Sequence, residues 1–129
     1  MSLSHHELCF GCGKANLFGL QLELEPSGDG VAGRFFVKQD HQGPPGMAHG
    51  GVLSTALDEA MSIAVWSLGS RALTRQLEID LLAPVPVGVF VEVEARVESR
   101  EGGKVWAVGS ARAESRVVAR GRALFVEPG

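Results

Sequence analysis

His49-Gly50-Gly51-Val52-Leu53-Ser54-Thr55-Ala56-Leu57-Asp58-Glu59-Ala60-Met61-Ser62-Ile63-Ala64-Val65-Trp66-Ser67-Leu68 is the stretch on which the fold turns. Leu53, Ala56, Leu57, Ala60, Ala64 and Leu68 recur at intervals of three and four, the period of a helix, and almost every position between them is apolar or small. A helix apolar around most of its circumference must be covered on most sides, so it belongs at the centre of the fold. Gly69 follows as a stop. Asp58 and Glu59 interrupt the run near its middle, which makes a membrane span costly. It also leaves two carboxylates in a setting that seldom keeps one without a reason.

Outward from the helix, the pattern changes to period two. Leu20, Leu22 and Leu24 alternate with Gln21, Glu23 and Glu25, Pro26-Ser27-Gly28-Asp29-Gly30 turns the chain, and residues 31–38 return as the second arm of a hairpin. Gly43-Pro44-Pro45-Gly46 then makes a rigid loop that neither a helix nor a central strand could contain. Beyond the helix, residues 73–83 carry Leu73, Leu77, Ile79 and Leu81 on one parity, with Pro84 and Pro86 punctuating the end. Val89, Val91, Val93, Ala95 and Val97 face inward on the next strand, Glu101-Gly102-Gly103 turns it into residues 104–114, and residues 117–126 form the last. Long strands joined by short turns favour an antiparallel sheet, so the expectation is an α+β fold of five to six strands wrapped around one long central helix.

At 129 residues there is room for one domain, residues 1–129, in which 1–18 form an N-terminal segment bearing Cys9-Phe10-Gly11-Cys12. With 45% hydrophobic and 21% charged residues the chain should fold. Two closely spaced cysteines do not make a secreted disulfide framework, and the first residues do not resemble a signal peptide; a soluble, cytoplasmic protein is expected, with no membrane partner. A net charge of −3 argues against a nucleic-acid partner. Residues 96–122 nevertheless hold seven bases against three acids. Such a segment either draws in a polyanionic small ligand or is the solvated face of edge strands.

The run from His49 to Ala60, preceded by His41-Gln42-Gly43-Pro44-Pro45-Gly46, resembles the active-site segment of hotdog-fold thioesterases of the phenylacetyl-CoA thioesterase (PaaI) type. In that family a His-Gly-Gly opens the central helix and an Asp follows nine residues after the His. Both conditions hold, and the order of elements matches a hotdog along nearly the whole chain. The resemblance implies hydrolysis of an acyl-CoA thioester, with CoA entering as part of the substrate and no separate cofactor. It implies Asp58 as the catalytic carboxylate, the Gly50 N–H as main oxyanion donor and His49 as an aid in orienting the carbonyl. It further implies a Ser or Thr on the strand after the helix to hold the water, and ten positions before Pro84 stands Thr74. Some relatives have an Asn six residues before the His; here that position is Gly43, so its carbonyl-orienting role is absent or falls to Gln42. Cys9-Phe10-Gly11-Cys12-Gly13 with Asn16 and Gly19-Leu20 is similar to an N-terminal signature of some members, with Leu17 where they commonly have Pro.

The residue types carry the same chemistry without the family. Free N–H groups in a helix's first turn, reinforced by its dipole, stabilise developing negative charge, and Gly50 and Gly51 let a carbonyl come close. One such donor is worth about 3 kcal/mol. Asp58 in an apolar helix should have its pKa raised toward that of a useful base, the plainer reading being a hydrogen bond to Ser54 one turn back. Glu59, about 100° round the helix, is expected to be structural and is the fallback carboxylate. Nine helical residues advance about 13 Å, so His49 and Asp58 of one chain cannot both touch one thioester; if both act, they belong to different subunits of a homodimer or of a dimer of dimers. For the phosphates of CoA, Lys104, Arg112 and Arg116 are the candidate cations.

Cys9 and Cys12 either bind zinc, with His5 and His6 as extra ligands, or are two small packed thiols. The expectation taken is packed thiols, no metal and metal-free hydrolysis. No G-x-S-x-G elbow surrounds Ser54, and no P-loop or dinucleotide fingerprint is present. Whether Asp58 activates water or attacks the carbonyl itself is open at this level. The alternative function is a non-hydrolytic acyl-CoA-binding or regulatory hotdog.

Overall fold

The computed structural model describes residues 3–128. In chain order it contains β1 (Glu23–Ser27), β2 (Gly30–Phe36), a short 3-10 turn (Gln39–His41), α1 (Gly50–Trp66), β3 (Leu73–Leu81), β4 (Phe90–Glu101), β5 (Lys104–Ala113) and β6 (Arg116–Val126). The strands form one six-stranded sheet in the order β1-β2-β4-β5-β6-β3, with every pairing antiparallel. The sheet curls around α1, which packs against β2 to β6. This is the hotdog architecture. Among the described residues no helix is long and apolar enough to cross a membrane.

Alternation builds the core. On β4, Val91, Val93 and Ala95 are buried while Glu92, Glu94 and Arg96 are exposed. Leu53, Leu57, Met61 and Ile63 of the helix are 0–3% exposed, each large side chain contributing about 1.5–3 kcal/mol by leaving water. The helix lies close because the sheet beneath it is small: Ala107, Ala111, Ala119 and Ala123 are fully buried, and Gly109 pairs with Gly121. A Cβ on Gly121 would meet Ile79 Cδ1 at 2.9 Å and Met61 Cε at 3.2 Å, so that glycine is where helix, β6 and β3 come together.

Two departures from the periodic pattern have plain causes. Leu20 and Leu22 are buried as their alternation implies, yet they precede β1: the Leu20 N–H donates to the Phe10 carbonyl and the Leu22 N–H to the Gly11 carbonyl. Their partner is the N-terminal segment, which no period can reveal. The strands bearing the basic stretch are interior rather than edge strands. Two of those bases meet acids, Arg122 with Glu98 at 3.2 Å and Arg100 with Glu127 at 3.5 Å. The β5–β6 turn is made by Glu114 and Ser115, both with positive φ (52° and 69°), the geometry of a type I′ hairpin without its usual glycine.

Candidate active site

The start of α1 is fixed from outside the helix. Pro44-Pro45-Gly46-Met47 closes a turn in which the Met47 N–H donates to the Pro44 carbonyl and Gly46 takes φ +80°, a conformation glycine adopts freely. The Ala48 N–H donates to the Val85 carbonyl, the Val87 N–H to the Gly46 carbonyl and the His49 N–H to the His41 carbonyl. These bonds tie the loop to the β3–β4 connection. Gln42 braces the same loop, its Oε1 accepting from the Gly46 N–H at 2.7 Å and its Nε2 donating to the Gln39 carbonyl at 3.0 Å. A Cβ at Gly43 would come within 3.0 Å of His49 Cα. The chain therefore has a glycine where a larger residue would crowd His49.

His49 caps the helix it precedes. Its Nδ1 accepts from the Gly51 N–H at 2.8 Å, which leaves Nε2 as the protonated nitrogen and an outward donor on an exposed ring. Gly51 permits the fold-back, since a Cβ there would lie 3.0 Å from that Nδ1. Because His49 takes the Gly51 N–H, the donor still free at the helix start is the Gly50 N–H, which has no acceptor among the described residues. The free Gly50 N–H and the exposed His49 ring thus both stand at the positive end of the helix dipole.

Asp58 lies on a partly open stripe of α1 with Gly51, Thr55 and Ser62. Thr74 Oγ1 donates to its Oδ1 at 2.7 Å, so strand β3 braces the carboxylate. Ser54 makes a different bond, from its Oγ to the Gly50 carbonyl at 3.0 Å. Burial raises the Asp58 pKa above its ordinary value; the Thr74 hydrogen bond opposes this, the nearby Glu59 charge adds to it and His5 subtracts. β3 carries a bulge between Thr74 and Gln76, the pairing running Thr74 to Phe125 and then Gln76 to Leu124. Bulges re-aim side chains beside functional groups, and Thr74 is on this one.

Glu59 points elsewhere. It is 8% exposed and faces the N-terminal segment, where its Oε2 is 2.6 Å from His5 Nδ1 and Cys9 Sγ is 3.5 Å from both its oxygens. Burial alone would raise its pKa, but hydrogen bonds from His5 and Cys12 and the charge on His5 hold it below the usual carboxylate range. The reverse holds for His5: burial works against its charge, while bonds with Cys12, Glu59 and Cys9 push its pKa up to about 11. His6 is outside this group, its Nδ1 accepting from the Leu8 N–H. Sequence reasoning set Cys9, Cys12 and His5 together but missed Glu59 as their fourth member.

The three cations considered for CoA are not gathered. Lys104 begins β5, while Arg112 and Arg116 lie at its other end, roughly 26 Å away along an extended strand. Arg112 lines a cleft of about 490 Å³ on the outer face of the sheet together with Glu23, Glu25, Glu92 and Glu94.

Residues 45–105 match the family model described as the thioesterase superfamily. Over that stretch, just under half of its length, the chain is similar to that superfamily. Among its curated relatives is the acyl-coenzyme A thioesterase THEM4 of Xenopus laevis, 32% identical over 88 residues; the match takes in 67% of this chain and 40% of that one. The chain thus spans two fifths of that relative's length. Among solved structures, a thioesterase superfamily protein superposes with a TM-score of 0.87 at 28% identity, covering 94% of this chain and 61% of the other. A variant of the phenylacetic acid degradation protein PaaI from Thermus thermophilus gives 0.78 at 23% identity, covering 84% and 95%, a likeness of fold. PaaI is therefore among the proteins that share this fold.

Proposed function

We propose that this protein hydrolyses an acyl-CoA thioester to a free acid and CoA at a site shared between two copies of the chain. The observation that carries the reading is the Asp58 carboxylate, raised in pKa by burial, braced by Thr74 at 2.7 Å and lying on the open stripe of α1. A half-buried carboxylate facing an uncovered surface suits proton abstraction from a bound water. The naming of the Xenopus relative as an acyl-coenzyme A thioesterase supports the substrate class.

In this reaction the thioester carbonyl lies against the Gly50 N–H, with the Nε2–H of His49 as second donor. Asp58 takes a proton from water as the water oxygen bonds to the carbonyl carbon. The negative charge that moves onto the carbonyl oxygen is met by donors already in place. Collapse of the tetrahedral intermediate breaks the C–S bond, and the thiolate of CoA recovers the proton. If an Asp58 oxygen attacks instead, an acyl anhydride forms and water opens it. A single turnover in oxygen-18 water tests for the second route, since label in Asp58 can arise only when water opens the anhydride at the Asp58 carbon.

Gly50 and Asp58 are eight residues apart, about 12 Å along the helix, which is too far for one reacting group. Two features support a partner. β3 is a sheet edge that exposes Leu73 (62%), Leu77 (38%) and Leu81 (52%), and the open stripe of α1 holding Asp58 borders it through Thr74. Edge pairing of two β3 strands about a twofold axis would cover those leucines and set two helices antiparallel. The CoA phosphates are assigned to Lys104 or to the Arg112 and Arg116 pair.

The test is thiol release from a panel of acyl-CoA substrates. Asp58→Asn should lower turnover by about two orders of magnitude or more while substrate still binds, and Glu59→Gln should lower it less. The reverse ranking would move the reaction to Glu59. Binding without release in the unaltered protein would favour the non-hydrolytic reading.

A further inference from the structure

Four groups that the thioester reaction does not use meet between the N-terminal segment and the helix. His5 Nδ1, Cys9 Sγ, Cys12 Sγ and a Glu59 carboxylate oxygen all lie within 4.8 Å of one another. We propose that they form a closed tetrahedral site for a thiolate-preferring divalent cation, zinc above all, that fastens the N-terminal segment to the central helix one residue from Asp58.

The spacing suits the ion. Zinc bonds of about 2.0 Å to nitrogen or oxygen and about 2.3 Å to sulfur place neighbouring ligands roughly 3.3 to 3.8 Å apart on a tetrahedron. Cys9 Sγ is 3.5 Å from His5 Nδ1 and 3.5 Å from either oxygen of Glu59, and Cys12 Sγ is 3.8 Å from His5 Nδ1. The His5 to Glu59 contact, at 2.6 Å, is a hydrogen bond that opens to about 3.3 Å when the ion takes the proton's place. Entry of the metal forms four bonds and releases three protons, two from the thiols and the one shared by His5 and Glu59. Two sulfur ligands select against magnesium and calcium, and four protein ligands leave no open position, so the ion is structural.

The surroundings are those of a built site. The second ring nitrogen of His5 is 3.0 Å from Ser62 Oγ, the outer bond that orients a metal-binding imidazole, and Trp66 meets the ring edge-on at 4.3 Å. The His5 backbone N–H donates to Cys12 Sγ at 3.2 Å, a contact that favours thiolate. Cys12 is 1% exposed and Glu59 8%, while His5 and Cys9 are half-buried. Between the cysteines, a Cβ on Gly11 would strike Glu59 Oε1 at 2.5 Å: only glycine lets the loop pass over that carboxylate. The sequence expectation of two packed thiols gives way here because Glu59 supplies the fourth ligand from 47 residues beyond Cys12.

The experiment measures metal in the full-length protein, grown with zinc and purified under reducing conditions without chelator. About one zinc per chain is expected. After chelator stripping, titration with cobalt should give the charge-transfer and visible bands of tetrahedral thiolate cobalt, and zinc should raise the melting midpoint of the stripped protein. Ser62→Ala, which leaves all four ligands in place, should weaken zinc affinity by about ten- to a hundredfold, and Glu59→Gln should weaken it and alter the cobalt spectrum. Protein that carries under about a tenth of an equivalent, and when stripped shows neither cobalt bands nor a zinc-dependent midpoint, overturns the proposal. Zinc binding unaffected by Glu59→Gln overturns it as well, since the site would then not be this one. These readouts stand whether or not any thioester is cleaved.

Discussion

Two inactive variants should rescue each other if the site is shared. The first is Asp58→Asn, which removes the base and keeps the shape. The second is Gly50→Pro, which removes the free N–H; proline is tolerated at the first position of a helix, where no intrahelical bond is lost. The structure shows one obstacle: a Cβ at position 50 would lie 2.7 Å from Leu81 Cδ1, the tip of a flexible side chain that is 52% exposed in the single chain. In a mixed dimer, one site combines the intact helix start of the first variant with the intact carboxylate of the second, and the other site combines both defects. Random assembly from equal amounts makes about half the dimers mixed, each with one working site of two, so activity should recover to about a quarter of the unaltered protein. Co-expression with two affinity tags, tandem purification and a thiol-release assay provide the measurement, the purified mixed species alone being expected at about half the unaltered activity, with circular dichroism as the check on folding. Mixed dimers verified by mass spectrometry that remain as inactive as their parents would refute the shared site, and at least one of the two groups would lose its assignment.

Thr74→Val preserves shape and deletes the hydroxyl that holds the Asp58 pKa down, so that pKa should rise further. Activity that depends on ionised Asp58 then needs higher pH, and the acidic limb of the rate profile should move upward, with the plateau lower by roughly tenfold for the loss of one charge-assisted hydrogen bond; an unmoved limb would show that the bond does not act on Asp58. Because the folded pKa is raised, the ionised carboxylate costs stability as pH climbs through it, and Asp58→Asn should melt higher than the unaltered protein at neutral pH by calorimetry. Neutralising Lys104, or Arg112 with Arg116, should raise KM more than it lowers turnover at one end of β5 only, since the two ends are too far apart for one chain to use both on one ligand. Replacing Glu114 and Ser115 by Asn-Gly should stabilise the fold by about 1 kcal/mol per relieved residue in urea denaturation, as both hold left-handed backbone that those residues adopt at less cost.

The helix and strands were legible because burial imposes periods of 3.6 and 2 on the sequence, and α1 differs from its expected span only by fraying at the ends. Thr74 was reachable by resemblance and by counting from Pro84, although nothing local to it distinguishes it from any β-branched strand residue. What the periods could not carry was contact between distant segments. Leu20 and Leu22 read as strand, yet their backbone partners are Phe10 and Gly11. Glu59 read as a spare carboxylate because the group that uses it lies at residues 5–12, brought alongside only by the fold. The bulge at Thr74 and Gln76 likewise arises from pairing with β6, and left no mark in the alternation. The basic stretch was visible as a count, but charge counts do not say that Lys104 and Arg116 end up at opposite ends of a strand.

The nine-residue edge of β3 also bears on how the protein must be handled. An unpaired strand presenting a row of backbone donors and acceptors beside three exposed leucines is a template on which any extended apolar peptide can add, including another unfolded copy of the chain. Natural edges are commonly guarded by proline or an inward-pointing charge; here Glu78 and Asp80 stand opposite Arg122 and Arg120 across the ladder. Substitutions that leave this edge bare should therefore show up first as inclusion bodies and poor recovery from dilution, ahead of any loss of melting temperature, and yields on expression become a sensitive reporter of that strand's condition.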